Sequence, residues 1–284
     1  MFFFLQGYNS YMTNLPVLDL ATWQKTRDSL QIYAKLLGKI QQQLIPPQKH
    51  FWHYGLQGGQ RGIQTQPAKL EGKTIQLTLD LTNHQLEVSN GTETQTIPLT
   101  GQSAASICKQ TLAALSHWQI VANIDQSLFT DETPLAYDPD QARAFGQALI
   151  HIAELTEKFK ATLSGETSPV QLFPHHFDLS LTWFSGRKVP GQDPNDEEAS
   201  DESMTFGFST GDEGVPEAYL YVTAYPTPET WTSAALPDKA SWHTEGWTGA
   251  LLPYSALVQS TQTDQLVLNL FQAAWQAGER LMTD

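Results

Sequence analysis

Two adjacent histidines and an aspartate lie in one short segment of the chain, residues 168–187, which reads SPVQLFPHHFDLSLTWFSGR. From position 177 onward apolar residues alternate with polar ones, which is typical of a half-buried strand. Because side chains alternate between the two faces of a strand, His176, Asp178 and Ser180 are expected together on the face away from the core. In this arrangement His176 is a candidate general base, and Asp178 is the group that would fix its tautomer.

The same cluster has the donor types of a metal site. Neutral imidazole is the most common metal ligand in proteins, and a carboxylate can bind the metal or orient the imidazole. Zinc, iron or manganese would suit such nitrogen and oxygen donors, and the divalent metal would activate water. The alternative is that the histidines only donate hydrogen bonds to backbone carbonyls. The candidate metal ligands are His53, His175, His176, Asp178 and Glu202.

Two of these candidates depend on the local structure predicted around them. His53 lies in an aromatic stretch, residues 50–56, that we predict as a strand, and it reaches the other ligands only if the two halves of the chain face each other. His175 follows Pro174 directly and is predicted on the core side, at the start of its strand.

Four further residues are candidates for ligand binding. Arg61 and Arg187 each lie next to a glycine, and a guanidinium group can hold a carboxylate through two hydrogen bonds. The alternative for both is a structural ion pair with the acidic segment. Trp52 offers a ring for stacking, and His243 lies in an aromatic stretch, residues 242–247, that would suit the wall of a cleft. Most aromatic stripes, however, belong to the core.

Composition and charge exclude several classes of protein. The chain of 284 residues has 16 basic and 30 acidic side chains, a formal net charge of -14. Such a charge disfavours binding to nucleic acid and to anionic membranes. No apolar run has the roughly 18 residues of a spanning helix, and the single cysteine, Cys108, allows neither a disulfide framework nor a cysteine-built metal site. We expect a cytoplasmic protein that could bind a small molecule. The sequence does not determine its oligomeric state.

The elements that must position these residues are four helices with strands between them. Apolar spacing predicts helices over residues 22–44, 103–118 and about 263–281. A fourth helix is predicted to begin at Asp138–Pro139, where the aspartate would cap it and the proline would occupy its first turn. Strict alternation predicts strands around residues 75–81, 177–183, 204–208 and 220–224. An Asn90–Gly91 turn predicts a hairpin.

This order predicts an α+β fold with antiparallel sheets, made of two similar α-β-α halves. We interpret residues 1–11 as a peripheral N-terminal extension, residues 12–130 as the first half, and residues 131–284 as the second half with an acidic loop at 189–217. The aromatic segments at 51–56 and 173–179 can be overlaid with His53 on His176, so an internal duplication is a hypothesis. Chance likeness of two α+β halves is the alternative.

Several short motifs occur together in this chain: the aromatic-histidine segment 47–62, SPV at 168–170, FDL at 177–179, FSGR at 184–187, FGF at 206–208, GVPE at 214–217, AYP at 224–226 and LLPY at 251–254. In this combination the sequence resembles a known bacterial family, domain-of-unknown-function family 5996. The resemblance covers roughly residues 15–281 and implies a bacterial, non-secreted protein, but it implies no activity.

Two functional hypotheses follow from the sequence. The first is a small-molecule-binding protein or metal-assisted enzyme with its site between the two halves, because clefts between domains are the usual place for such sites. In that case His176 and Asp178 are the candidate catalytic residues. The second is a non-enzymatic interaction or scaffold protein that presents tyrosine and tryptophan surfaces to a partner. Whether the protein is an enzyme at all is left open by the motifs.

Overall fold

Two antiparallel sheets and five α-helices make up the computed structural model, which describes residues 15–283. The proposed N-terminal extension, residues 1–11, lies outside this range. The helices are α1 (Leu20–Leu44), α2 (Ala104–His117), α3 (Pro139–Lys160), α4 (Tyr254–Val258) and α5 (Thr263–Thr283). In the described residues, no helix combines the length and the apolar character that crossing a membrane would need.

The strands fall into two groups along the chain. Those of the first sheet are β1 (Gln57–Gly59), β2 (Gly62–Gln64), β3 (Ala68–Leu70), β4 (Lys73–Asp80), β5 (Gln85–Ser89) and β6 (Thr94–Pro98). Those of the second are β7 (Glu166–Thr167), β8 (Gln171–Phe173), β9 (Asp178–Lys188), β10 (Asp201–Ser209), β11 (Tyr219–Tyr225), β12 (Ser241–His243) and β13 (Gly249–Pro253).

All strand pairs are antiparallel. The first sheet has the order β1-β2-β4-β5-β6, with β3 also paired to β4, and the second has the order β12-β13-β11-β10-β9-β7, with β8 also paired to β9. The α+β class with antiparallel sheets is therefore confirmed. The two strand orders differ, and the internal duplication stays a prediction.

The four predicted helices are present close to their expected ends, for local reasons. Asp138 caps α3 by accepting hydrogen bonds from the N–H groups of Asp140 and Gln141, and Pro139 occupies the first turn. Ser103 caps α2 through Ser106. These caps satisfy N–H groups that have no partner inside the helix.

Aromatic residues join α3 to both of its neighbours in the core. Phe145 stacks on Trp23 of α1 at 5.2 Å between ring centroids, while Phe159 lies 4.8 Å from Phe206 of β10 and 5.4 Å from Phe271 of α5. All five of these rings are fully or almost fully buried. The second sheet therefore packs its inner face on α3 and α5, and these two helices do not cover its outer face.

The segment at residues 50–56 is not the predicted strand. It forms a 3-10 helix, Lys49–Tyr54, in which His50 and Phe51 have left-handed backbone with φ of 51° and 57°. The flanking Phe, Trp and Tyr residues favour a strand, but backbone carbonyls of this segment accept hydrogen bonds from glutamine side chains and not from a neighbouring strand. Gln171 Nε2 donates to the carbonyls of Trp52 and Gly55, at 2.9 and 3.2 Å.

The acidic segment 189–217 is also not one continuous loop, because β10 passes through it. Residues 189–200 connect β9 to β10 and are largely exposed, and residues 210–218 connect β10 to β11. Asp201 and Glu202 thus lie on β10 itself, and the other acidic side chains are divided between the two connections at its ends.

Candidate functional site

The outer face of the second sheet is the floor of a cleft of about 790 Å³. This floor is rich in hydroxyl groups, since alternate side chains of β9 and β10 point away from the core. They belong to Ser180 and Thr182 on β9 and to Ser203 and Thr205 on β10. Thr182 and Thr205 lie directly opposite each other in the register, and their hydroxyl oxygens are 3.3 Å apart.

Tyr221 of β11 reaches across the sheet to Asp178 at the start of β9. Its hydroxyl donates a hydrogen bond of 2.5 Å to Asp178 Oδ2. Strand β10 lies between the two, so the tyrosine ring must pass over it. Gly207 of β10 is directly opposite Tyr221, and a Cβ at this position would overlap the ring. The glycine therefore provides the space in which the tyrosine reaches the aspartate.

Burial of this pair changes its proton affinities. Removal from water raises the pKa of the Asp178 carboxyl, and the Tyr221 hydrogen bond and the neighbouring histidines oppose this effect only in part. Burial also raises the pKa of Tyr221 well above its ordinary value, and the charge of Asp178 adds to the rise. Tyr221 thus remains a hydrogen-bond donor, while the carboxyl keeps its proton to a higher pH than an exposed aspartate does. This is the property of a general acid.

Asp178→Asn is expected to stabilise the protein relative to wild type as the pH rises. A carboxyl whose pKa is higher in the folded state than in the unfolded state ionises more readily on unfolding. The free energy of unfolding of the wild type therefore falls as the pH rises from the unfolded pKa of about 4 through the folded pKa. Asparagine does not ionise and still accepts the Tyr221 hydrogen bond, so its advantage should grow across that window and persist above it. Urea unfolding of both proteins at about pH 4 and about pH 7 measures the difference. The raised pKa would be contradicted if the stability of the variant relative to wild type were lower at about pH 7 than at about pH 4.

A second cavity of about 400 Å³ shares four lining residues with the first. These residues, His175, His176, Asp178 and Tyr221, line both cavities, and we call them the waist. The larger cavity is the first lobe and the smaller one the second lobe. A molecule that extends from one lobe into the other must pass the carboxyl, the phenol and both imidazoles.

Aromatic rings line the second lobe. Trp247 lies almost parallel to Tyr219, with 6.1 Å between centroids and 16° between planes, and it meets Tyr221 edge-on at 6.3 Å. The Tyr219 hydroxyl donates to Asp212 Oδ2 at 2.9 Å, and Arg27 Nε donates to Thr210 Oγ1 at 2.8 Å. The charged groups at this end are therefore already engaged by protein partners.

The two histidines lie on the turn before β9. Phe177 has a left-handed φ of 59°, and its ring is fully buried 5.2 Å from Phe145. This backbone conformation interrupts the alternation, so the face pattern that holds from Asp178 onward does not extend back to the histidines. The prediction that His175 lies on the core side is therefore wrong. Its side chain is exposed at the waist, with its ring centroid 4.4 Å from that of His176.

Helix α1 fixes the position of this turn. Gln31 Nε2 donates to the carbonyls of His175 and Pro174, at 2.8 and 3.3 Å. Pro174 packs closely on the helix at Gly38, where an added Cβ would lie 3.1 Å from Pro174 Cγ. The histidine turn is consequently held against the helix face that lines the first lobe.

His175 is adapted to accept a proton. Desolvation lowers its pKa, and electrostatic interaction with His176 and Lys35 lowers that pKa further, while Asp178 opposes the effect. The imidazole is therefore expected to be neutral near pH 7. The waist thus combines a carboxyl whose pKa is raised with an imidazole whose pKa is lowered.

His50 holds the acidic segment at the edge of the first lobe. Its backbone N–H donates to Glu197 Oε2 at 2.8 Å, and its ring Nδ1 lies 3.0 Å from the Glu197 carbonyl oxygen, which requires the ring nitrogen to donate. The ring stacks on Phe184 at 4.4 Å. Its Nε2 lies 3.8 Å from Asp201 Oδ2. The 3-10 helix and the acidic segment therefore form adjoining parts of the cleft wall.

The structure does not assemble the five predicted metal ligands. In the chain from residue 15 to residue 283, no group of three or more His, Cys, Asp or Glu side chains has a geometry that could hold a metal ion. His53 is buried, and its Nδ1 accepts the Gln48 N–H at 3.1 Å. Glu202 accepts a hydrogen bond of 2.6 Å from Ser185. The expected metal centre is corrected accordingly, because His53 belongs to a 3-10 helix and not to a strand that faces the cluster.

The two arginines have structural partners. Arg61 binds Asp80, which is fully buried, and both oxygens of Glu87, at 2.8 and 2.6 Å. These partners belong to the first sheet, so the expected pairing with the acidic segment is wrong for Arg61. Arg187 lies 3.6 Å from Glu202 within that segment, as the structural alternative predicts. Neither arginine lines the lobes described above.

The two predicted aromatic ligand-binding residues differ in position. Trp52 lines the first lobe. His243 does not line either lobe, but its ring packs 4.3 Å from Trp247, which lines the second. His243 Nε2 also lies 2.7 Å from the carbonyl oxygen of Glu245. Its place is therefore behind the wall of the cleft.

Sequence reasoning missed Tyr221 and the lysines of α1. Tyr221 is 43 residues from Asp178, and only the paired strands bring them together. A usable signal was present, however. Gly207 interrupts the alternating segment 204–208, and a glycine within a strand often marks a close approach of another group.

The fold and the cleft define the class of this protein: an α+β chain of two antiparallel sheets, with a two-lobed cleft on the outer face of the second sheet. The chain belongs to a family of unknown function, DUF5996, whose model matches residues 15–283. The resemblance inferred from the sequence motifs is thereby confirmed. No curated protein and no solved structure matches the chain.

Proposed function

We propose that the protein binds a small organic molecule in the two-lobed cleft and acts on it by proton transfer at the waist. The observation that carries this proposal is the hydrogen bond between Tyr221 and Asp178, buried at the point where the lobes meet. Its acid and base groups are Asp178, His175 and His176. Strongly shifted pKa values in a cleft are typical of functional sites.

The dimensions and composition of the cleft support binding of a small molecule. Ligand sites in proteins usually have volumes of roughly 300–1,000 Å³ and combine aromatic walls with a few convergent polar groups. The first lobe, at about 790 Å³, lies in this range and has the side chains of Trp52 and Phe173 beside its hydroxyl floor. Its lining comes from residues 35–54 and 168–221, in agreement with a site between the two predicted halves.

Proton transfer is the chemistry for which the waist is best suited. A protonated Asp178 can donate to a developing negative charge, and a neutral His175 can accept a proton from the same molecule. Tyr221 orients the carboxyl by donating a hydrogen bond to Oδ2. An exchange of protons at two nearby atoms of one ligand needs no metal ion, and it uses only groups that line both lobes.

The scaffold hypothesis has less support from the aromatic residues. Among the described residues, the large aromatic side chains that are exposed are Phe51, Tyr54 and Tyr225. Two of them, Phe51 and Tyr54, line the first lobe. An interaction surface of this kind usually presents a contiguous apolar patch of several hundred Å².

Asp178→Asn and Tyr221→Phe are expected to weaken binding of a cleft ligand about tenfold or more. Each change keeps the shape of the side chain but alters the pair that meets the ligand, and a hydrogen bond to a charged or buried group contributes about 1.5–3 kcal/mol. The measurement is a ligand-observed NMR screen of wild-type protein against a diverse library of soluble metabolites, followed by titration of each hit into both variants.

A matched control keeps this test specific. Tyr54→Phe removes a phenolic hydroxyl from the first lobe at a residue that is not part of the waist, and it should leave affinity within about threefold. The absence of any hit, or hits that bind equally well to all three variants, would overturn the proposed function.

A further inference from the structure

One wall of the first lobe carries a stripe of residues from a single helix face. The residues are Lys35, Gly38, Lys39 and Gln42 of α1, which are spaced three and four apart and therefore project to the same side. Lys35 is exposed, and Lys39 is half-buried. Both ammonium groups thus belong to the cleft and not to the distant surface of the helix.

Neither of these lysines makes an ion pair within the described part of the chain, although the protein has 30 acidic side chains. By contrast, the cation of the second lobe, Arg27, pairs with Asp28 at 3.1 Å and binds Thr210. Lys39 is near enough to Asp125 to lower the pKa of that exposed carboxyl, but it forms no direct ion pair with it. The first lobe therefore contains two ammonium groups without a direct ion-pair partner, whereas the guanidinium in the second lobe is already paired.

The histidine turn brings further nitrogen donors to this wall. Because Pro174 packs at Gly38, the imidazoles of His175 and His176 come beside the lysine stripe. Lys35 is close enough to His175 to act on it electrostatically. An anionic group at this place would be met by two ammonium groups and two imidazoles.

Acidic residues line another part of the first lobe, and their charge bears on where an anion binds. Glu197 and Glu198 belong to this part, at the edge where His50 contacts the acidic segment, and the Glu197 carboxylate accepts the His50 N–H. These charges repel an anion from the acidic segment and favour its placement at α1. The charge pattern therefore fixes which end of a ligand lies at the lysines.

Between the two walls, the ligand meets the hydroxyl floor. Each serine or threonine hydroxyl can both donate and accept a hydrogen bond, so a row of them matches a compound with several hydroxyl groups. Ser180, Thr182, Ser203 and Thr205 form this row, and the ring of Trp52 lies beside it. The C–H face of a sugar-like ring packs well on such an aromatic side chain.

We propose that the ligand is an anionic polyhydroxylated compound, a sugar acid or a sugar phosphate, whose charged group binds Lys35 and Lys39 and whose hydroxyl groups bind the floor. This inference rests on the proposed function and adds the ligand class. Lys35 and Lys39 are specificity-determining residues in this arrangement, and they place the carbon chain of the ligand at the waist.

The test is calorimetric titration of wild-type protein with matched trios of compounds: gluconate, glucose 6-phosphate and glucose, and ribonate, ribose 5-phosphate and ribose. We expect at least one anionic member to bind at least about tenfold more tightly than its neutral counterpart, and more weakly as salt is added. A Lys35→Glu/Lys39→Glu variant should lose about tenfold or more of that affinity, and Lys35→Gln/Lys39→Gln should lose less.

The control is Lys25→Glu/Lys109→Glu, which makes the same change in net charge with two exposed lysines that do not line either lobe. It should bind within about twofold of wild type, because exposed charges beyond a Debye length of about 10 Å are screened. Circular dichroism verifies that each variant is folded.

The outcomes separate the two proposals. If no compound in the trios binds while neutral or cationic metabolites from the wider library bind and respond to Asp178→Asn, the ligand class is wrong and the function of the cleft stands. Equal loss of affinity in the cleft variant and the Lys25/Lys109 control also overturns the ligand class. If no compound of any kind binds, both proposals fail.

Discussion

Gly207→Ala is expected to destabilise the protein by about 1–3 kcal/mol, the usual cost of overfilling a packed site. The added methyl group would occupy the space of the Tyr221 ring, so either the ring or strand β10 must move. The hydrogen bond from Tyr221 to Asp178 should be lost at the same time, and ligand affinity should fall with it. Equilibrium unfolding in urea measures the stability change.

A double-mutant cycle isolates the cause of this effect. In a Tyr221→Ala background the ring is gone, so Gly207→Ala should be neutral or slightly stabilising, since alanine loses less backbone entropy than glycine on folding. Gly58→Ala in β1 is the matched control, because a Cβ there makes only an ordinary contact with Ala153, at 3.5 Å. Equal costs for Gly207→Ala with and without the tyrosine ring would show that the ring does not depend on this glycine.

Asp80→Ala is expected to cost about 3–5 kcal/mol of stability, because several hydrogen-bond donors lose their acceptor and each buried unsatisfied group costs about 1–3 kcal/mol. Asp80 has no exposed surface, and it accepts hydrogen bonds from the N–H groups of Thr82 and Asn83, from the Asn83 side chain and from Arg61. Alanine leaves all of these donors without their acceptor at the turn between β4 and β5. Urea unfolding measures the loss.

The other acidic partner of Arg61 provides the comparison for Asp80. Glu87→Gln removes a partly exposed carboxylate that binds the same guanidinium, and it should cost only about 0–1 kcal/mol. Neither change should alter ligand affinity in protein that remains folded, because both residues belong to the first sheet. Equal costs for the two substitutions would contradict the structural role given to Asp80.

The helices and most strands of this fold could be predicted from local sequence, because the signals for them are local. Asp138–Pro139 marks a helix start through its own side chain and ring, and alternation over Phe177, Leu179, Leu181 and Trp183 correctly assigns four buried side chains. These features depend on a few neighbouring residues. Their physical basis is therefore present in a short window of sequence.

The 3-10 helix at residues 49–54 could not be predicted in the same way. Its carbonyls are bound by the side chains of Gln41, Gln66 and Gln171, which come from three different parts of the chain. Taken alone, a run containing Phe, Trp and Tyr is typical of a strand. His53 is consequently buried in the 3-10 helix, and the residues that the structure describes contain no group of three ligand side chains that would support the predicted metal centre.

The candidate site was predicted in part. His175, His176 and Asp178 come together because they are neighbours in the chain, and the sequence identified all three. Tyr221 and Lys35 come from other elements, and their approach depends on sheet register and on how α1 packs against the turn. Residue types alone suggest what a site can do, whereas long-range packing decides which residues belong to it.

The most direct test of the cleft as a ligand site is a map of backbone amide chemical shifts, recorded with and without the tightest-binding library compound. We predict that the shifts concentrate at residues 175–182, 203–207 and 219–223, which surround the waist and the hydroxyl floor. The first sheet, residues 57–98, should change little. Shifts centred on that sheet, or spread evenly over the chain, would contradict the assignment of the cleft as the binding site.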